Sequence, residues 1–205
     1  MLSHISIILL GVQWSYAQTV TGVTLSNYRR RDCSVAGGAE ICYSKYPLPD
    51  CCGSTSTQYF VSGDCSGCTS TDIHFLFGPG AQGACSVART GSNNGNCINA
   101  QNAKGHGWCR VCGTRVQQLV DEDASEEDWA DPFNGISAQP EDEKVCSKPN
   151  VVTKDGLRFF RVHYDVPQEV TDMIYEWYDD EENTRFAVGT VPEEFLPYET
   201  TSPWE

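Results

Sequence analysis

Long hydrophobic runs and positive charge are both scarce in this chain of 205 residues. Its longest apolar run, residues 5–12, is far shorter than the roughly 20 residues that cross a bilayer, so no stable membrane insertion is expected. Lys and Arg number 14 against 28 Asp and Glu, for a net charge of −14. Because nucleic acids are bound by basic surfaces, a nucleic-acid partner is not expected either.

Recognisable catalytic and metal motifs are also missing. No G-x-S-x-G nucleophile turn occurs. His74, His106 and His163 show no metal-pair spacing such as H-x-x-x-H. We interpret these histidines as solvated or hydrogen-bonded, while a Ser/His/Asp site assembled from distant positions stays open. The sequence therefore predicts no catalytic residue, no metal site and no cofactor.

The first 17 residues have the pattern of a secretory signal peptide. The apolar run is followed by Ser15-Tyr16-Ala17, which places small residues at both positions that matter for a cut after Ala17. We expect an extracellular mature chain that starts near Gln18. Arg29-Arg30-Arg31 could be a second, dibasic processing site, but an exposed basic loop is the preferred interpretation.

Cysteine is concentrated in the first half of the chain. Ten of the 11 cysteines lie between Cys33 and Cys112, one residue in eight of that stretch. In an oxidising compartment this density predicts a disulfide scaffold, whose pairing the sequence alone does not assign. The predicted disulfide cysteines are Cys33, Cys42, Cys51, Cys52, Cys65, Cys68, Cys85, Cys97, Cys109 and Cys112.

Two Cys-x-x-Cys pairs invite a zinc interpretation. Cys65-x-x-Cys68 and Cys109-x-x-Cys112 stand 40 residues apart, whereas the two halves of a zinc ribbon are separated by about 15–20 residues. We therefore interpret both pairs as structural disulfide cysteines and expect Cys65 and Cys68 to bridge the two repeats described next.

A repeat is visible within the cysteine-rich stretch. Cys33-Ser34-Val35-Ala36 recurs as Cys85-Ser86-Val87-Ala88, and each copy leads to a lone Cys and then to a Cys pair running into Gly. Short runs rich in β-branched and aromatic residues flank both copies. This predicts a mainly β fold over residues 18–120, a small disulfide-stapled antiparallel β-sandwich of two duplicated motifs, similar to βγ-crystallin modules by analogy of fold.

The two halves of the chain differ in charge. Residues 18–120 carry eight Lys and Arg against five Asp and Glu, whereas residues 121–205 carry six against 23, a net charge of −17. Crowded like charges predict a flexible acidic linker over 121–149 and an acidic, frayed tail over 192–205.

Between linker and tail, residues 150–191 read as a strand–helix–strand segment. Apolar and polar residues alternate from Leu157 to Val166, which predicts a half-buried strand. Apolar residues then fall at helical spacing from Val170 to Tyr178, and residues 186–191 read as a further strand.

Four carboxylates share one face of the predicted helix. Glu169, Asp172, Glu176 and Asp179 lie at positions i, i+3, i+7 and i+10. Such a face could bind a cation or supply an acid/base pair, while a solvated helix face is the preferred interpretation.

Cys146 is the odd cysteine and stands alone in the acidic half. It either tethers that half to the scaffold, which leaves another cysteine unpaired, or is free, or links two chains in a covalent dimer.

The order of features in the first half of the chain resembles that of the small secreted cysteine-rich, effector-like proteins of fungi. These features are a signal peptide, a β-run, a Cys-x8-Cys stretch and a Cys-Cys-Gly. Within this pattern, residues 105–114, Gly-His-Gly-Trp-Cys-Arg-Val-Cys-Gly-Thr, are similar to a segment of a smut-fungus killer toxin. The resemblance implies an extracellular interaction protein, effector-like or toxin-like, whose partner is another extracellular protein or a cell wall. The competing hypotheses are a secreted hydrolase with an unrecognised carboxylate or His site and an acidic wall-associated structural protein.

Overall fold

The computed structural model describes residues 22–44, 51–80, 83–110, 146–163, 165–180, 186 and 190–201. The predicted signal peptide, Cys112 and nearly all of the predicted acidic linker lie outside these residues. Within the described part of the chain, no helix is long and apolar enough to cross a membrane.

Two β-sheets form the body of the protein, which confirms the predicted mainly β, antiparallel fold. The first sheet has seven strands, which run in the order β12-β11-β10-β2-β1-β4-β7. Every neighbouring pair in this sheet is antiparallel. Its strands are β1 (Val23–Tyr28), β2 (Ala39–Ser44), β4 (Phe60–Ser66), β7 (Ile98–Ala103), β10 (Val151–Thr153), β11 (Phe159–Arg161) and β12 (Glu199–Thr200).

The second sheet has five strands in the order β6-β5-β8-β3-β9. Its strands pair antiparallel except for β3 and β9, which run parallel. They are β3 (Cys51–Gly53), β5 (Asp72–Gly80), β6 (Gly83–Asn93), β8 (Gly105–Arg110) and β9 (Cys146–Ser147).

One hydrophobic cluster joins the two sheets. Successive strand residues point to opposite faces, so Val23 and Leu25 of β1 lie on the same face, where they pack with Cys52 and Trp108 of the second sheet.

In β5, Leu76 on one face packs against Phe60 and Ile98 of the first sheet. The opposite face carries Ile73 and two phenylalanines in a separate buried cluster. Both faces of β5 are therefore covered, which explains why residues 73–77 are apolar except for the buried His74.

Disulfides connect the strands and join one sheet to the other. Cys42 of β2 bonds Cys52 of β3 and so links the two sheets. Its neighbour Cys51 points to the opposite face of β3 and bonds Cys85 of β6. The further described pairs are Cys33–Cys97 and Cys65–Cys68, and Cys109 is disulfide-bonded as well.

The structure does not confirm two expectations about the repeat. Cys65 and Cys68 bond each other at the end of β4, so the expectation that they bridge the two repeats is wrong. The tetrapeptide copies also differ in local structure: Cys33 lies in a turn before a 3-10 helix over Val35–Gly37, whereas Cys85 lies inside β6. The structure therefore gives the predicted duplication no support.

The last third of the chain completes the first sheet. Strand β10 pairs with β2, β11 with β10, and β12 with β11. A 3-10 helix over Glu193–Tyr198 buries Phe195, so the expectation of a frayed tail is wrong as far as Thr200. The predicted strand over 157–166 is shorter than expected, but its apolar residues Phe160, Val162 and Val166 are buried as predicted. Half of the predicted strand over 186–191, residues 187–189, lies outside the described residues.

Helix α1 (Gln168–Asp179) confirms the predicted amphipathic helix. It begins after Pro167, whose fixed φ suits the start of a helix. Ile174, Trp177 and Tyr178 are buried against Val152 and Phe160 of the first sheet. Packing of this apolar face holds the helix beside the edge strands.

The odd cysteine, Cys146, lies in strand β9, where its backbone pairs with that of Cys51 in β3. Cys51 itself is bonded to Cys85, so this backbone pairing does not identify the partner of the Cys146 thiol, and the intramolecular tether stays a prediction. Non-reducing electrophoresis of the mature chain is expected to give a monomeric band. A dimeric band that disappears in Cys146→Ser would show that the dimer forms instead.

Candidate functional site

Helix α1 presents three of its four predicted carboxylates to a pocket of about 280 Å³. Asp172, Glu176 and Asp179 line it, whereas Glu169 does not. The loop after β3 supplies the facing wall. We call this cavity the helix pocket; its lining residues are Thr55, Thr57, Lys148, Val162, Gln168, Thr171, Asp172, Tyr175, Glu176 and Asp179.

Asp179, at the last turn of α1, is fully engaged by protein donors. Arg29 and the Ser56 hydroxyl donate to one carboxylate oxygen, and the Thr57 backbone and hydroxyl both donate to the other at 2.9 Å. Burial would raise the pKa of this carboxyl, but the hydrogen bonds from Ser56 and Thr57 and the charge of Arg29 outweigh it and lower the pKa. Asp179 is therefore a fixed anion and not a proton donor or acceptor near neutral pH.

Arg29 joins the end of α1 to the first half of the chain. Its guanidinium donates to the Tyr178 carbonyl at 2.8 Å and to Ser56 at 2.8 Å, and it lies 3.5 Å from the centroid of the Tyr178 ring. The side chain is only 5% exposed. The preferred interpretation of residues 29–31 as an exposed basic loop is therefore wrong for Arg29. The alternative, a processing site there, would separate the central strand β1 from the rest of the chain.

Other side chains also bind the carbonyls at the end of α1. Lys154 donates to the Trp177 carbonyl at 3.0 Å and the Asp180 carbonyl at 2.6 Å, and Gln58 donates to the Asp179 carbonyl at 3.1 Å. The last carbonyls of a helix have no partner within the helix, and cations there also interact favourably with its dipole. Side chains from distant segments thus supply the cap that a glycine supplies in many helices.

Glu40 lies in the interior behind Asp179 and is 2% exposed. The Ser54 hydroxyl donates to its Oε1 at 2.9 Å, whereas its buried Oε2 has no hydrogen-bond partner. Burial raises the pKa of Glu40 to about 7, even though Ser54 and Arg29 act in the opposite direction. Near neutral pH this carboxyl is therefore divided between its neutral and charged forms.

Tyr175 stands between Glu40 and the helix pocket. Its hydroxyl is buried and makes no hydrogen bond of normal geometry, although the Thr55 side chain is near enough to influence it. Burial raises the pKa of this hydroxyl well above its usual value, and the neighbouring Glu40 raises it further. Among the described residues, Glu40 Oε2 and Tyr175 Oη are the buried side-chain atoms without a partner.

His74 and His106, far apart in sequence, meet in the core between the sheets. Their ring nitrogens are 2.9 Å apart, and the chain of contacts continues to the Asn96 carbonyl and to Asn27. Burial lowers the pKa of His74 to about 4, and burial together with His74 lowers that of His106. Burial thus favours the neutral form of both rings. Their contacts agree with the interpretation as hydrogen-bonded histidines. His163 lies apart from this pair near the end of β11.

Within the described part of the chain, no group of three or more His, Cys, Asp or Glu side chains is placed to hold a metal ion. Cys65 and Cys68 are consumed by their mutual disulfide. Cys109 is also disulfide-bonded, and Cys112 lies outside the described residues.

Sequence reasoning identified the helix carboxylates but missed Arg29, Glu40 and Tyr175. For Glu40 there was one usable signal, since a lone carboxylate interrupts the apolar run Ala39-Glu40-Ile41-Cys42 of β2. Arg29 carried no comparable signal, because its partner Tyr178 lies 149 residues later in the chain. Tyr175 carried none either, because Glu40 and Thr55 approach it from distant segments.

Known proteins offer no match: no family profile, curated protein or solved structure corresponds to this chain. The likeness to fungal secreted cysteine-rich proteins therefore stays a prediction. Of the segment similar to a killer toxin, residues 105–110 form β8, where His106 and Trp108 are fully buried.

Proposed function

We propose that the protein is an extracellular, non-enzymatic interaction protein, effector-like or toxin-like, that binds an extracellular protein or a cell wall. One observation carries this proposal: the described residues that line the helix pocket include carboxylates but no poised acid/base pair. Asp179 is fixed as an anion by its donors. Glu40, whose pKa of about 7 would suit proton transfer, does not line the pocket.

Secretion is supported by the cysteine chemistry. Four described disulfides and a bonded Cys109 need an oxidising compartment to form and persist. The signal-peptide pattern ending at Ala17 points to the same compartment. A stapled sandwich of this kind also resists local opening, which limits proteolysis outside the cell.

The two competing functions make different demands on the molecule. A hydrolase would need Glu40 or another carboxylate of raised pKa to reach a bound substrate, and burial opposes this for Glu40. A wall-associated structural protein would depend on the charge of −17 in residues 121–205, so its binding would weaken strongly with salt.

Screening the secreted mature chain for both binding and turnover tests the proposal. We expect the mature chain to bind saturably to whole cells or to the wall fraction of those cells. We expect it to turn over no glycan, peptide or RNA substrate. Turnover that Glu40→Gln or Glu176→Gln abolishes would establish the hydrolase instead. Binding that disappears at about 0.5 M salt, where the screening length is only a few ångströms, would favour the electrostatic wall protein.

A further inference from the structure

The loop between β1 and β2, residues 29–38, touches strands on both sides of the hairpin that it closes. We call it the β1–β2 loop. Towards β4, the Ser62 hydroxyl accepts a hydrogen bond from the Cys33 backbone at 3.0 Å and donates to the Arg30 carbonyl at 2.5 Å. In the other direction, Val35 lies against the turn between β10 and β11. The conformation of this loop therefore depends on contacts with several strands.

Two consecutive residues of the β1–β2 loop have a left-handed backbone. The φ angle is +59° at Asp32 and +52° at Cys33. Residues with a Cβ pay an energetic cost in this region and keep such angles only where their surroundings hold them. Asp32 is held by the exposed Asn99, which accepts from its N–H at 2.9 Å and donates to its side chain at 3.1 Å. Cys33 is held by its disulfide to Cys97.

The Cys33–Cys97 bond is the most accessible of the four described disulfides. Cys97 is exposed and Cys33 is partly exposed. Each of the other three pairs contains at least one cysteine that is no more than 3% exposed, namely Cys42, Cys52, Cys51 and Cys65. Exposed or strained disulfides are reduced more readily than buried ones, because a thiolate can reach the sulfur and the backbone relaxes afterwards.

Loss of this bond would leave the sandwich stapled. Although Cys33 and Cys97 are 64 residues apart, the disulfides that join β2 to β3 and β3 to β6 already connect their two segments by a short path. The stabilisation from a disulfide increases with the length of the loop that it closes, so this bond contributes less than its sequence separation implies. Neither cysteine lies in a buried hydrophobic cluster of the described residues. The bond is therefore placed to control the loop rather than the core.

We propose that Cys33–Cys97 is a redox switch, which a dithiol reductant opens to release the β1–β2 loop from a sandwich that stays folded. A thiolate of the reductant attacks the Cys97 sulfur, and the Cys33 sulfur leaves as a thiolate that takes a proton from solvent. The second thiol of the reductant then displaces the Cys97 sulfur, which is protonated in turn. The reductant is thereby oxidised to a disulfide, and the protein gains two thiols. This inference goes beyond the proposed function and requires nothing of the binding partner.

Release of the loop would open the dibasic pair Arg30-Arg31 to proteases. Both residues are exposed, but the Arg30 carbonyl is bound by Ser62 and the left-handed pair follows directly. Proteolysis requires a segment that opens locally from the folded structure. The oxidised loop should therefore resist cleavage after these arginines, whereas the released loop should be cut.

Partial reduction followed by alkylation measures the first part of this inference. The mature, oxidised chain is treated with dithiothreitol at neutral pH, quenched with iodoacetamide at intervals and mapped by mass spectrometry. We expect Cys33 and Cys97 to be alkylated together, at least about tenfold faster than Cys65 and Cys68. The Cys65–Cys68 bond is the matched control, because Cys68 is partly exposed as well.

Trypsin digestion of the oxidised form and of the selectively reduced, alkylated form measures loop release. We expect cleavage after Arg30 and Arg31 to become at least about tenfold faster on reduction, while cleavage after Arg89 stays unchanged. Arg89 is the matched control, because it is exposed but lies within β6. The double variant Cys33→Ser, Cys97→Ser should be cleaved like the reduced form.

Three results would overturn the inference. The first is alkylation of Cys65 and Cys68 before or together with Cys33 and Cys97. The second is unchanged cleavage of the loop after selective reduction. The third is an equal increase in cleavage after Arg89, which would show that the bond holds the whole fold. If the double serine variant fails to fold, the reduced and alkylated parent still decides. No binding partner is used, so these outcomes leave the proposed function to be judged separately.

Discussion

Arg29→Ala is expected to lower the free energy of unfolding by about 3 kcal/mol, the lower end of the range for breaking a buried ion pair from one side. Its partner Asp179 is 15% exposed and would keep its negative charge without a nearby cation. The carbonyl of Tyr178 would lose its donor at the same time. Hydrogen bonds from Ser56 and Thr57 remain to Asp179, which keeps the loss from being larger.

Denaturant unfolding under non-reducing conditions measures the effect, and a second ion pair supplies the control. Arg161 and Asp165 are 39% and 59% exposed, so Arg161→Ala should cost less than about 1 kcal/mol. Arg29→Lys should recover only part of the loss, because an ammonium group cannot reproduce the planar fork that reaches Tyr178, Ser56 and Asp179 together. If Arg29→Ala and Arg161→Ala lowered the free energy of unfolding equally, the stabilising role of Arg29 at the end of α1 would be contradicted.

Local patterns predicted the regular elements well. The alternation around Phe160 and the helical spacing from Val170 to Tyr178 depend on neighbours along the chain. The first formed a strand shorter than expected, and the second formed the expected helix. The antiparallel sandwich followed from short strands separated by turn residues. These features are local, which is why a single sequence carries them.

Long-range placement was the part that the sequence concealed. An acidic composition predicted a frayed tail, yet one buried aromatic residue, Phe195, and the pairing of β12 with β11 anchor that segment. The tetrapeptide repeat suggested duplication, but disulfide pairing depends on which strands meet, and Cys33 and Cys85 bond unrelated partners. Composition describes a segment on average, whereas a few contacts decide where it lies.

The candidate site, like the fold, was predictable from local patterns but not in its long-range contacts. Helical spacing placed Asp172, Glu176 and Asp179 on one face, and that face lines the pocket. Whether a carboxylate is free or saturated depends on residues such as Arg29 and Thr57 that approach from another part of the chain. The sequence could therefore predict the location of the acidic groups but not their chemistry.

Glu40→Gln should make the protein more stable than the parent above neutral pH. The pKa of Glu40 is about 7 in the folded state against an ordinary value of 4.5. A group with a raised folded-state pKa stabilises the fold fully below its unfolded pKa, and this stability is lost as pH rises through 7. The shift corresponds to about 3 kcal/mol lost at alkaline pH, which an uncharged Gln would not lose.

Other groups titrate in the same range, so the difference between parent and variant is the quantity to measure. His74, with a pKa lowered to about 4 from 6.5, contributes stability above 6.5 that is lost as pH falls towards 4, the opposite sign. This contribution is common to both proteins and cancels in the difference. Glu199→Gln is the control, since the Glu199 side chain is 32% exposed and its pKa is lowered by Arg158.

Unfolding free energies of parent and Glu40→Gln at about pH 5 and about pH 8.5 give the result. In the variant, Ser54 can still donate to the Gln oxygen. The new amide NH2 group takes the place of Oε2, where it has no hydrogen-bond partner. We therefore expect the variant to be no more stable than the parent at pH 5. Between the two pH values the difference should move by about 2 to 3 kcal/mol in favour of the variant. A constant difference would show that Glu40 stays charged and solvated in the folded protein, and the buried polar cluster behind the helix pocket would then have to be rejected.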